Sequence, residues 1–279
     1  MRILGTSTRT AAVAVAAGLI AVTTTSAAAA GTPSSHHRRD PRPTIVLVHG
    51  AWADGSSWAA VTEKLQHQGY RVDVPPNRLR GVASDAAYLA AYLGTISGPI
   101  VLVGHSYGGM VITAAATGNA NVEALVYVDA FIPDTGDSAG SLTAAEPGSA
   151  LLVADPSTVF NAVPIPDGGG NVDLYVQQAL FPAMFVAGAP HRQAAVLAAG
   201  QRPLAASALD EKLATLPAWQ NIPSWALVGT ADQVIPSAEQ VVMATRAGAH
   251  TVKAEAPHLS MVTQPDAVTD LITEAAAHS

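Results

Sequence analysis

Val101-Leu102-Val103-Gly104-His105-Ser106-Tyr107-Gly108-Gly109-Met110 is the stretch on which the reading of this chain turns. An apolar, β-branched run stops at Gly104, Ser106 follows, and two glycines lead into the helix-like run Met110 to Thr117. Strand, sharp turn and helix in this succession lift a serine hydroxyl above the carboxyl edge of a sheet. They also aim it at the positive end of the helix that follows.

Outward from that turn, apolar runs alternate with amphipathic ones. Upstream, Thr44 to Val48 is a buried strand by its continuous β-branched run, and it ends in His49-Gly50-Ala51-Trp52. Ser56 or Ser57 caps a helix with Trp58, Val61 and Leu65 on one face, closed by Gly69. Tyr70 to Val74 reads as a second strand, and Ser84-Asp85 as the cap of the next helix. Downstream, Val122 to Val128 is a strand ending at Asp129, and Ser224 to Gly229 is a strand ending at Thr230-Ala231-Asp232. Pro236 starts a helix that Gly248 ends, His250 to Ala254 is the last strand, and Pro265 opens the last helix. The alternation predicts an α/β domain over 44–279: a doubly wound, mostly parallel sheet of about six strands with right-handed crossovers. Ligands of such sheets sit at the carboxyl ends of the strands.

Residues 133 to about 217 break the alternation. They are rich in loop signals such as Pro164-Ile165-Pro166-Asp167-Gly168-Gly169-Gly170, with helical pieces expected at Val172 to Leu180 and His191 to Leu197. A structureless stretch of this length is foreign to a compact domain, so the segment reads as a helical cap inserted over the sheet. Phe181, Met184 and Phe185 are placed to line a pocket from above or to pack the cap onto the sheet.

A serine hydroxyl is a weak nucleophile at neutral pH. It needs a base within hydrogen-bond reach, and the base needs a group that holds its tautomer. Ser106, Asp232 and His258 each follow an expected strand, in the order Ser, Asp, His. Asp129 rivals Asp232, but the loop Gly229 to Pro236 is the more usual acid loop, and Asp129 reads as a structural hydrogen-bonding residue. Of the histidines, only His258 lies after the last strand and before the last helix; His49 and His105 read as loop braces. An oxyanion needs two donors, here the main-chain N–H groups of Tyr107 and Ala51. Trp52, Phe131, Phe181, Phe185 and Leu259 are candidate pocket walls. As His258 loses its proton, activity is expected to rise at roughly pH 6–7.

Composition sets the outer bounds. With 49% hydrophobic and 13% charged residues, 279 residues bury a sizeable core. Without cysteine, thiol catalysis, disulfides and cysteine-ligated metals are excluded. The net charge of −7 argues against nucleic acid as a partner. Arg2 and Arg9, the apolar run Ala11 to Val22 and Ala27 to Ala30 follow the layout of an export signal, residues 1–30, with cleavage near Ala30. The apolar run is too short to span a bilayer, so a secreted protein without a stable membrane anchor is expected. Residues 31–43 read as a linker, whose His36-His37 pair carries no expected metal role. No cofactor or metal is implied, and oligomeric state is not legible.

These residues also resemble a known family. His49-Gly50-Ala51-Trp52, Gly104 to Gly109, Asp129-Ala130-Phe131-Ile132-Pro133, Ala218-Trp219, the Asp232 loop and Pro257-His258 resemble the α/β-hydrolase superfamily. Within it they are similar to small bacterial esterases related to plant methylesterases and hydroxynitrile lyases, from about Thr44 onward, with the cap matching least. The resemblance implies hydrolysis of a small-molecule carboxylic ester through an acyl-enzyme. It leaves lactone hydrolysis, cyanohydrin cleavage and non-catalytic ligand binding as alternatives. The lyases of this branch carry threonine where this chain has Gly50, and lysine directly after the catalytic histidine, where this chain has Leu259. Both departures favour an esterase.

Overall fold

The structure, a computed structural model, describes residues 42–279. The expected export signal and most of the expected linker lie outside them. Arg42 and Pro43, the linker's last two residues, already belong to the folded domain. Pro43 is buried, and the Arg42 guanidinium lies 5.1 Å from the centre of the Tyr70 ring.

The first half of the chain alternates strand and helix. In order come β1 (Thr44–Val48), α1 (Ala59–His67), β2 (Val72–Asp73), α2 (Val82–Leu93), β3 (Ile100–His105), α3 (Tyr107–Ala115) and β4 (Val122–Val128). An insertion follows: α4 (Ala139–Thr143), β5 (Phe160–Pro164), β6 (Val172–Val176), α5 (Phe181–Phe185), α6 (His191–Ala199), β7 (Leu204–Ala205) and α7 (Ser207–Asp210). The alternation then resumes with β8 (Ser224–Gly229), α8 (Ser237–Arg246), β9 (His250–Ala254), α9 (Ser260–Thr263) and α10 (Pro265–Ala277).

Six strands form one parallel sheet in the order β2-β1-β3-β4-β8-β9. The chain winds first to β2 and then back past β1. Right-handed crossovers therefore put α1 on one face and α2, α3 and α8 on the other, and α10 packs beside α1. With both faces covered, β1, β3 and β8 are buried at every residue, which is why their sequences are apolar runs with polar residues only at their ends. Register aligns the strand ends: Val48 pairs with Gly104, Gly104 with Tyr127, and Tyr127 with Ala226. The residues that follow these strands thus emerge side by side. Among the described residues no helix is long and apolar enough to cross a membrane.

Some local expectations are corrected. The strand expected over Tyr70 to Val74 pairs only at Val72 and Asp73, because this edge strand runs straight into Pro75-Pro76. The first helix is led by a 3-10 turn, Gly55–Trp58, capped by the Asp54 carboxylate on the Ser56 N–H rather than by a serine. The second starts at Val82, two residues before Ser84.

The larger correction concerns the insertion, which is not purely helical. Val172 to Val176, expected as helix, is a strand in a three-stranded antiparallel sheet of order β5-β6-β7. Asp167, Gly169 and Gly170 take positive φ, and Ile165 N–H donates to Asn171 carbonyl, reversing the chain between Pro164 and Val172. The glycine run is a hairpin turn, and the β-branched residues beyond it pair across it. The helix expected from His191 is present as α6.

Candidate active site

Ser106 joins β3 to α3 with φ 53° and ψ −124°, a conformation L-residues avoid. The turn is held from below: Ser106 carbonyl accepts from Gly109 N–H at 2.9 Å and from Phe131 N–H at 3.3 Å. A Cβ at Gly109 would overlap the Phe131 carbonyl oxygen, so only glycine lets α3 start this close to the loop after β4. Trp52 and Asp129 also carry positive φ, so three strained non-glycine residues collect at this edge of the sheet.

Three segments far apart in sequence meet at the serine. Ser106 Oγ lies 2.9 Å from His258 Nε2, and His258 Nδ1 lies 2.8 Å from Asp232 Oδ2. All three side chains are buried; Ser106 is only 3% exposed. Asp232 Oδ1 accepts from the N–H groups of Val234 (2.7 Å) and Ile235 (3.1 Å), and Oδ2 also accepts from Gln240 Nε2 at 2.7 Å. Burial pushes the Asp232 carboxyl above the usual range. Three donors whose direction no tautomer decides, the Val234 and Ile235 amides and the Gln240 side chain, nevertheless converge on its oxygens and favour the carboxylate. His258 Nδ1–H therefore donates to Asp232, and Nε2 keeps a lone pair facing the serine hydroxyl.

Burial also pushes the His258 imidazole well below 6.5, since a cation there would lose its hydration. This moves the expected pH dependence. Neutral His258 is the form able to take a proton, so a lowered pKa carries the acid limb of kcat/KM to more acidic pH. The midpoint is expected below pH 6.5 in a pH–rate profile, and a midpoint at or above that value would contradict the buried, neutral imidazole.

The neighbouring groups act as braces. Asp129 sends Oδ1 to Gly229 N–H (2.8 Å) and Oδ2 to Ser260 N–H (3.1 Å), tying the end of β8 to the residues after His258. It makes no hydrogen bond to the imidazole. His105 Nε2–H donates to the His258 carbonyl at 2.9 Å. His49 Nδ1–H donates to Gly50 carbonyl, and its Nε2 accepts from Asn77 N–H. Gly50 lies against the serine: a Cβ there would sit 2.6 Å from Ser106 Cβ.

The two expected oxyanion donors lie at the same place. Ala51 and Tyr107 line one cavity with Ser106, and neither N–H has an acceptor among the described residues. Tyr107 N–H is the first of its helix and so free of intrahelical partners. The Tyr107 phenol donates to Asp85 Oδ2 at 3.1 Å, anchoring this residue from α2.

The five expected pocket residues divide. Trp52 and Phe131 line the cavity with Ser106. Phe181 and Leu259 line a neighbouring surface cleft, which Trp52 also lines. Phe185 lines neither; it is fully buried, stacked on Phe181 at 4.5 Å and edge-on to the His258 ring at 5.4 Å. Gln240 has no signal in the sequence, since a glutamine inside an ordinary helix does not reveal which carboxylate it will meet. The cavity walls Leu151, Leu204, Leu209 and Thr143 come from the insertion and were equally illegible. Among the described residues no group of three or more His, Cys, Asp or Glu could hold a metal.

Known proteins share this arrangement of strands and helices. Polyneuridine aldehyde esterase superposes with a TM-score of 0.71 at 18% identity, covering 84% of this chain and 99% of that one. An extracellular α/β-hydrolase from a Paenibacillus species, described as sharing structural and functional homology with tobacco salicylic acid binding protein 2, gives 0.67 at 22% identity, covering 84% and 98%. A pyrethroid hydrolase from Sphingobium faniae gives 0.64 at 19% identity, covering 84% and 97%. In sequence, a carbendazim-hydrolysing esterase of Nocardioides sp. (strain SG-4G) is 40% identical over 108 residues, or 33% of this chain and 44% of that enzyme. The matched region is thus less than half of that relative's length. The alpha/beta hydrolase family matches residues 45–271. With that match spanning the sheet, the serine turn and the Asp232 and His258 loops, the chain belongs to the alpha/beta hydrolase family.

Proposed function

We propose that this protein is an exported serine esterase that cleaves neutral carboxylic esters through an acyl-enzyme. The continuous hydrogen-bond relay from Ser106 through His258 to Asp232 carries this reading. His258 Nε2 takes the Ser106 proton as Oγ attacks the ester carbonyl. The Ala51 and Tyr107 amides hold the oxyanion, a contribution of a few kcal/mol in comparable sites. His258 then protonates the departing alcohol, and water releases the acid by the same steps with His258 as base. Asp232 keeps Nε2 free throughout.

The cavity supports a neutral substrate, since neither Lys nor Arg lines it. Gly50 supports ester hydrolysis over cyanohydrin cleavage: the space a threonine would need is taken by Ser106 and His105. Leu259 supplies no cation beside His258. The similarity to a carbendazim-hydrolysing esterase and to solved esterase structures supports the same reaction class. The leader-like residues 1–30 support export.

A fluorophosphonate is expected to form one adduct, on Ser106, and to abolish hydrolysis of p-nitrophenyl acetate in parallel. Labelling on another residue, or none with hydrolysis intact, would refute the serine mechanism. Peptide mass spectrometry locates the adduct.

A further inference from the structure

We propose that residues 144–155 form a strap that lifts to let an ester reach Ser106, with Leu151 as its plug and Ser149 as its latch. This rests on the esterase reading above and assigns the way into the same site.

The space at the nucleophile is too small for any ester. The cavity that Ser106 shares with Ala51, Tyr107 and Phe131 has about 20 Å³ of free space. That is room for roughly one water, and even methyl acetate has several times the volume of a water. Ser106 is 3% exposed, and Ala51 and Tyr107 are exposed still less. A wall of this cavity therefore has to move before Oγ can meet a carbonyl carbon.

The walls differ in how firmly they are held. Trp52, Phe131 and Val234 come from loops at the sheet edge and are buried. Trp52 N–H donates to Arg202 carbonyl at 3.0 Å, and its indole Nε1–H to Leu174 carbonyl at 2.8 Å. Leu204 lies in β7, which pairs with β6. Leu209 lies in α7, whose start is tied to β6 by Ala206 N–H donating to Val172 carbonyl at 2.8 Å. Ala139 and Thr143 lie in α4, which a reciprocal cap between Ser138 and Ser141 fixes at its start. Of the walls that the insertion supplies, Leu151 alone lies in neither helix nor strand. Its strap leaves the end of α4, and within it only Ser149 is buried. Few buried apolar contacts and an exposed backbone mark a segment that opens at low cost.

Among the described residues, two hydrogen bonds fasten the strap beyond its own ends, and both reach the acid loop. Ser149 Oγ–H donates to the Val234 carbonyl at 2.7 Å, and Ala150 N–H donates to the Gln233 carbonyl at 2.7 Å. Val234 is itself a cavity wall, so the latch closes on the rim of the space it guards. The two latch residues directly precede Leu151 in sequence, so breaking their bonds frees the plug. Beyond the plug, Leu152 and Val153 are 53% and 39% exposed and add little burial to hold it down.

A crosslink tests this, because the chain has no cysteine of its own. Ala150→Cys with Gln233→Cys joins the strap to the acid loop across the hydrogen bond these residues already share. The rate at which a fluorophosphonate labels Ser106 is compared before and after reduction of the same protein, with the disulfide verified by mass spectrometry. The oxidised form is expected to label at least about tenfold more slowly, as for a gate held shut. Ser149→Ala removes one latch bond and is expected to label about fivefold faster, the effect of one such bond on an opening equilibrium. It should raise kcat/KM for p-nitrophenyl acetate and butyrate by the same factor, whereas a reshaped pocket would move the two differently. Equal labelling of the crosslinked and reduced forms would overturn the strap and leave the esterase reading standing. If no crosslink forms, the folded Ser149→Ala variant decides, and labelling unchanged or slower overturns the strap. A wild type that neither labels at Ser106 nor hydrolyses any ester would overturn both.

Discussion

Ser106→Ala is expected to lower kcat for p-nitrophenyl acetate by about 10⁴- to 10⁶-fold, the loss that follows removal of a nucleophile from a working triad. What survives is the oxyanion hole and binding, which act on an attacking water with no covalent step. The fold should persist. The hydroxyl makes one hydrogen bond, to His258 Nε2, and its loss costs about 1 kcal/mol or somewhat more, because it leaves a buried acceptor unpaired. Alanine is no worse than serine at the positive φ of this turn. A thermal melt close to wild type together with inactivity is therefore the expected pair of results. Activity within tenfold of wild type in the folded variant would mean that another group attacks the ester.

Asp232→Asn is expected to cost about 10⁴-fold in kcat, for a reason confined to one proton. The carboxylate accepts from Val234 and Ile235 at one oxygen and from Gln240 and His258 at the other. An amide has one oxygen for these four donors, and its NH2 must face two of them. If the NH2 faces His258, Nδ1 becomes the acceptor and Nε2 carries the hydrogen, so Nε2 points a donor at Ser106 and has nowhere to put the serine proton. Asp129→Asn separates the roles of the two acids. Its NH2 would oppose the N–H of either Gly229 or Ser260, costing roughly 1–3 kcal/mol of stability, while the His258 tautomer is untouched. The expected pattern is a folded, nearly inactive Asp232 variant and a less stable, active Asp129 variant, read by kcat and by denaturant titration. The reverse pattern would reassign the acid.

Much of this was legible before any coordinates. The runs Thr44 to Val48, Ile100 to Val103 and Ser224 to Gly229 admit one environment, a strand covered on both faces, and they occupy it. The insertion was read less well. Val172 to Leu180 shows a mixed periodicity in which a short strand and a short helix are hard to tell apart, and the hairpin turn at Asp167 to Gly170 decides between them. The acid limb expected at pH 6–7 belonged to a solvated imidazole; burial of His258 is a property of the packed site and moves it down.

By itself, then, the sequence determined the strand–turn–helix at Ser106, the parallel sheet and the row of loops at its carboxyl edge. Those follow from local periodicity and from the chirality of crossovers, which act over a few residues at a time. Tertiary structure alone decided that the His258 ring meets Asp232 and not Asp129, that Gln240 completes the carboxylate's shell, and that Trp52 and Phe131 line one cavity with Ser106. Each of these is a contact between side chains brought together by folding, chosen by burial and by the need to satisfy every buried donor and acceptor. No local pattern of residues records that choice.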